Sequence, residues 1–169
     1  SATLNALPYS TDADYATFSD SERRIISDIW NRVAEDMAPF DIDVTTQHPS
    51  EFGKTFGARV GHVMITKNSD AIGAAMPSQT AGGVAYVGVY GASYYATYQP
   101  AFVYFNQLGT TSAHNIAEAS SHEFGHNLGL SHDGTSTTGY YQGHGTGYVD
   151  WAPIMGVGYY GQVTQWSKG

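Results

Sequence analysis

Cysteine is absent from the 169-residue chain, so no disulfide can staple it, and that absence leaves its compartment open. Basic residues are scarce: seven Lys and Arg stand against fifteen Asp and Glu, for a net charge of -8. A nucleic-acid surface therefore has no basic patch to rest on, whereas calcium or a cationic substrate suits the balance better. No apolar run reaches about 18 residues, which excludes a helical membrane span. Internal repeats and linkers are missing too. The chain opens at Ser1 with neither a charged start nor an apolar leader, so either a leader has been removed or this is an excised, trimmed domain. What remains is a globular composition, 41% hydrophobic, long enough for one domain over 1–169 to bury a core without staples. Thirteen tyrosines and twenty glycines beside so little lysine fit a secreted, extracellular protein, and a monomer is expected.

Two long helices are predicted. Ser19 with Glu22 forms a capping box, and Ile25, Ile29, Val33 and Met37 recur every four residues, with Ile26 and Trp30 widening the stripe. That helix ends before Pro39. The second begins near Ser112 or Asn115, where Asn115 with Glu118 offers a further cap, and runs to Leu128, packing through Ile116, Ala119, Ser120 and Phe124. Alternation of Phe40, Ile42 and Val44 with Asp41, Asp43 and Thr45 has the period of a strand. Further strands are expected over 59–66, 82–90 and 101–105, with a Tyr-rich turn between the last two. The small residues of 82–90 allow a peptide backbone to approach closely. Residues 133–150 hold five glycines and no hydrophobic period, so a long irregular loop is expected there.

The chemistry concentrates in His122-Glu123-Phe124-Gly125-His126-Asn127-Leu128-Gly129-Leu130-Ser131-His132-Asp133, the pattern HExxHxxGxxHD. On a helix, His122 and His126 lie on one face and can present two imidazoles to one ion. Gly129 can take positive φ and stop the helix, so that His132 returns as a third ligand. Three protein ligands leave a tetrahedral zinc one open position, the mark of a catalytic site, where water is acidified. Glu123, beside the pair without ligating, is the expected general base. It would take the proton of the attacking water and pass it to the leaving amine. A motif of this length arises by chance in roughly one sequence in tens of thousands.

These residues resemble the metzincin clan of zinc endopeptidases, and Trp151-Ala152-Pro153-Ile154-Met155-Gly156 resembles its Met-turn. Within the clan, Asp133 after the third histidine and the HNLG stretch are most similar to the adamalysin (reprolysin) branch. The resemblance implies an α/β (α+β) fold: a twisted, mostly parallel sheet of four to five strands with two long helices, one carrying HExxH. It implies an N-terminal subdomain of about 1–129 and an irregular C-terminal one of about 130–169, with a last helix starting within 161–168. It also implies Met155 as a hydrophobic floor beneath the imidazoles. Because adamalysins are commonly disulfide-bonded, the cysteine-free chain points to a bacterial lineage.

The substrate is then expected to be protein or peptide, held extended along Gly83, Val84, Ala85 and Tyr86 by main-chain hydrogen bonds. Some metzincins carry a tyrosine two residues after the Met; Val157 stands there, which argues against a tyrosine-assisted variant, with Tyr159 or Tyr160 as the alternative to that reading. Asp133 reads either as a carboxylate anchoring the chain beneath the metal or as a turn residue beside Gly134. His144 reads either as a cleft residue or as a solvated loop histidine. Asp12 with Asp14, and Asn68 with Asp70, offer oxygens for a calcium ion, against the alternative of hydrated turns. Two other functions stay open: a catalytically silent, zinc-stapled adhesin or binding module, and a zinc amidase acting on a non-protein substrate.

Overall fold

The computed structural model describes residues 3–52, 54 and 59–168. Helix α1 (Asp20–Met37) starts on the predicted capping box: the Ser19 side chain accepts from the Glu22 N–H, and the Glu22 carboxylate accepts from the Ser19 N–H at 2.8 Å. Glu22 also accepts from the N–H and hydroxyl of Thr11, so one buried carboxylate fastens the N-terminal segment to the helix start. Strand β1 (Val63–Thr66) runs parallel to β3 (Ala101–Tyr104), with Val63 opposite Ala101, and the two-residue β2 (Gly83–Val84) pairs antiparallel to the other side of β3. Two short helices, α2 (Tyr95–Tyr98) and α3 (Phe105–Leu108), flank β3, so the expected Tyr-rich turn contains a helical turn.

Helix α4 (Ala113–Asn127) packs against α1 and under β3. Its cap is Ser112, which accepts from the Asn115 N–H, so Ser112 and not Asn115 opens it. The core gathers Ile29, Val103, Phe105, Leu108, Ile116, Ala117 and Ala119, with Ile25, Ile26, Val33, Val63 and Ile65 packed around them. The stripe read from α1 and the face read from α4 are thus the two halves of one contact.

Four expectations are corrected. The sheet has three strands in the order β1-β3-β2 among the described residues, with one parallel and one antiparallel pair, instead of four to five mostly parallel strands. Residues 40–45 are not a strand; the Trp30 indole N–H donates to the Val44 carbonyl at 2.7 Å. The strand expected over 82–90 stops at Val84 because the following backbone is spent on the end of α4. Gly88 N–H donates to the His126 carbonyl, Tyr90 N–H to that of Asn127, and the Tyr86 carbonyl accepts from the Asn127 amide. Lastly, the helix expected from within 161–168 is not formed among the described residues: a 3-10 turn at Gly158–Tyr160 leads into β5 (Val163–Gln165), which pairs in parallel with β4 (Trp151–Pro153). The irregular loop of 133–150 is observed as expected, apart from a single 3-10 turn at Gly147–Val149.

Candidate metal centre and substrate cleft

Helix α4 ends in a Schellman motif, which places the third histidine. Leu130 N–H donates to the Gly125 carbonyl and Gly129 N–H to that of His126, with Gly129 at φ 100°. Gly88, also at positive φ, lies against it, with its Cα 3.8 Å from the position a Gly129 Cβ would take. The chain then reverses and brings His132 back beside His126.

Each helical imidazole is oriented by the main chain. His122 Nδ1 lies 2.8 Å from the Ile154 carbonyl and His126 Nδ1 2.8 Å from that of Leu130. A carbonyl oxygen only accepts, so both Nδ1 atoms carry the proton and both Nε2 lone pairs are free. The Nε2 atoms of His126 and His132 face each other at 3.0 Å, and ligand nitrogens of all three rings lie within 4.8 Å of one another. Two nitrogens bound to one tetrahedral zinc sit about 3.3 Å apart, so this donor set fits such an ion with small adjustment. Burial pulls His122 down to about 4 and lowers His132 as well, keeping the rings in the neutral form that ligates. Among the described residues, no other group of three His, Asp or Glu gathers in this way.

Glu123 is buried, and desolvation pushes its carboxyl up to about 7. The strand above it has no side chain to spare: a Cβ on Gly83 would lie 2.6 Å from Glu123 Cγ and 2.7 Å from the Phe102 carbonyl. A cleft of about 600 Å³ runs between two rims. The upper is the outer edge of the sheet, residues 81–85 and Val87, and the lower is 156–159. The three histidines, Glu123, Glu118, Tyr140 and Ile154 line it between them. Gly83, Val84, Ala85 and Tyr159 therefore line the cleft, whereas Tyr86, His144 and the exposed Tyr160 do not. Tyr86 turns its ring to Tyr98, with ring centroids 4.7 Å apart, and His144 bonds the Tyr141 hydroxyl at 3.1 Å and packs at a tilt against Trp151. Burial pushes the Tyr159 phenol up to about 12.

Asp133 joins its two alternatives. Its N–H donates to the Met155 carbonyl at 2.8 Å, its carbonyl accepts from Tyr141, and its carboxylate accepts from the Ser167 hydroxyl. The residue after His132 is thereby pinned to the turn beneath the site, through its backbone more than its side chain. Met155, 3% exposed, sets its sulfur against Gly125, where a Cβ would come within 2.5 Å. The acidic turns hold themselves: Asp70 accepts from the N–H groups of Asn5, Ile72 and Ala74, Asp12 from Asp14, and Asp14 from Ala16 and Thr17. Asn68 exchanges its amide with Asn106 and Gln79.

Sequence reasoning missed Tyr140, whose ring centroid lies 4.1 Å from that of His132, and Glu118, which lines the cleft one turn before His122. It also missed the carbonyls of Ile154 and Leu130, since backbone acceptors leave no mark on residue identity.

The sequence model of the Metallo-peptidase family M12B Reprolysin-like matches residues 3–133, a span that includes all three histidines and Asp133. No curated protein and no solved structure matches the chain at a significant level. No helix among the described residues is long and apolar enough to cross a membrane. Carrying its imidazole trio at the end of a span that covers most of its length, the chain belongs to the reprolysin-like metallo-peptidases of family M12B.

Proposed function

We propose that this protein is a secreted zinc endopeptidase of metzincin type that hydrolyses peptide bonds with Glu123 as its general base. The observation that carries the reading is the convergence of three oriented imidazoles beside a buried carboxylate, in a cleft edged by a free strand. A zinc ion held by His122, His126 and His132 supplies Lewis acidity, lowering the pKa of water and polarising a carbonyl. Glu123, poised by burial near neutral pH, accepts the proton of the attacking water on a carboxylate oxygen and delivers it to the leaving amine nitrogen. The outer edge of Gly83–Val84 gives an extended peptide main-chain partners, and the absent side chain at Gly83 lets it come close to Glu123. The turn Ile154–Gly156 serves as the Met-turn, its Met155 sulfur packed on Gly125 and its Ile154 carbonyl fixing His122.

Casein or gelatin cleavage by the purified protein tests this. Cleavage is expected, inhibited by phenanthroline and abolished in Glu123→Ala with zinc content unchanged by elemental analysis. Tight zinc with no cleavage of any protein or peptide would replace the peptidase by a metal-stapled binding module. Cleavage confined to a small non-peptide amide would replace it by an amidase.

A further inference from the structure

Glu118 brings a second carboxylate to the cleft, one turn of α4 before His122. It is 7% exposed. Its Oε1 accepts from the Thr164 hydroxyl at 2.7 Å and lies 3.9 Å from His114 Nδ1, while its Oε2 has no hydrogen-bond partner. Oε2 faces Gly158 on the lower rim, where any Cβ would overlap it. Ile154, Val157 and Tyr159 line the same recess, and the Tyr159 hydroxyl approaches Gly82 on the opposite rim. Burial pushes the Glu118 carboxyl up, opposed by the Thr164 hydrogen bond and by Arg32 at longer range. A carboxylate oxygen held out of water without a donor is destabilising, and a cation brought against it removes that cost.

Resting on the peptidase reading of this cleft, we infer that Glu118 determines specificity: the recess between α4 and residues 156–159 takes the Lys or Arg side chain of a residue flanking the scissile bond. The cation's aliphatic stem lies along Ile154, Val157 and Tyr159, and its charged end pairs with Oε2 beside the bare Cα of Gly158. The net charge of -8 draws such segments to the protein and repels acidic ones.

A positional peptide library cleaved by the zinc-loaded enzyme tests the assignment, with norleucine as the uncharged match for lysine. One flanking position is expected to favour Lys and Arg over norleucine by about tenfold or more, since a site built around a charged partner rejects its apolar analogue. Glu118→Gln keeps the volume and the acceptor for Thr164, and should reduce that ratio about tenfold; Glu118→Leu should turn the preference to apolar residues. Melting temperature and zinc content of each variant show that the site is intact. A second readout needs no turnover: calorimetric binding of Lys and norleucine peptides to Glu123→Ala, and to Glu123→Ala combined with Glu118→Gln. Equal cleavage of Lys and norleucine peptides, or a Lys preference that survives Glu118→Gln, overturns the Glu118 assignment and leaves the peptidase reading standing. Lys-selective, Glu118-dependent binding without cleavage of any peptide retains the recess and overturns the peptidase. Absence of both binding preference and cleavage overturns both.

Discussion

Gly125 sits in the last turn of α4, where glycine costs up to about 1 kcal/mol relative to alanine in helix propensity. The position is nonetheless closed to alanine, because a Cβ would lie 2.5 Å from the Met155 sulfur and 3.0 Å from the Trp166 ring. Overpacking of this kind costs about 1–3 kcal/mol, so Gly125→Ala should lower the melting temperature despite its gain in propensity. A higher melting temperature would show that the turn under the helix yields freely. Tyr140 acts at the same scale from the other side, its ring 4.1 Å from that of His132 and 6.4 Å from that of His122. Removing a group that holds a ligand in place typically weakens metal binding about 10–100-fold, so Tyr140→Ala should lose zinc to a competing chelator at correspondingly lower concentration. Tyr140→Phe keeps the ring contact and should retain zinc as the parent does; equal loss in both variants would assign the effect to the hydroxyl.

The reversal after α4 decides whether two histidines become three. Gly129 stands at φ 100°, and the nearest atom to an added Cβ is the Gly88 Cα at 3.8 Å, so the space is adequate and the backbone angle is the obstacle. An L-residue forced into left-handed backbone pays about 1–2 kcal/mol. Gly129→Ala should therefore keep its helical circular dichroism while binding zinc more weakly in chelator competition, as His132 shifts from His126. Unchanged affinity would place the reversal elsewhere. This is also where the sequence was most legible. Capping box, four-residue stripe, helical histidine pair and terminating glycine all act within one or two turns, and each signal is local. The strands were read less well. The apparent strand over 82–90 depended on where its backbone groups would go, and distant carbonyls of His126 and Asn127 took the N–H groups of Gly88 and Tyr90. Alternation at 40–45 was genuine, but no neighbouring strand accompanies it among the described residues; Trp30 takes the Val44 carbonyl instead. Tyr140 and Glu118 were invisible for the same reason, since a glycine-rich loop and a helix face acquire meaning only once folded against the histidines.

Across the whole molecule, the C-terminal segment stitches the two helices and the site together. The Trp166 indole N–H donates to the Asp36 carbonyl at 2.6 Å, Thr164 bonds Glu118, and Ser167 reaches Asp133 beside the third histidine. Where α1 meets α4, the Asp36 carboxylate accepts from the Ser121 hydroxyl at 2.5 Å. Burial, reinforced by Glu118 and Glu35 against Ser121 and Arg32, pushes its carboxyl from 3.8 to about 6. The folded protein thus holds this proton more tightly than the unfolded chain, and the stability it adds is full below the unfolded value and lost as pH rises through about 6. Glu22 works in the opposite sense: hydrogen bonds from Thr11 and Ser19 draw it down to about 2, so its contribution is present above the ordinary carboxylate range and lost as pH falls toward that value. The combined contribution of these two groups is largest in acidic solution, near the ordinary carboxylate range. Asp36→Asn keeps an acceptor for Ser121 and removes the falling limb. Urea midpoints at about pH 4.5 and about pH 7 should show the parent losing roughly 1 kcal/mol more than the variant, a figure already reduced for the partial solvent exposure of Asp36. Both proteins carry the same histidines, so the metal site's own pH dependence cancels in the comparison, and equal losses would remove Asp36 as the source of the slope.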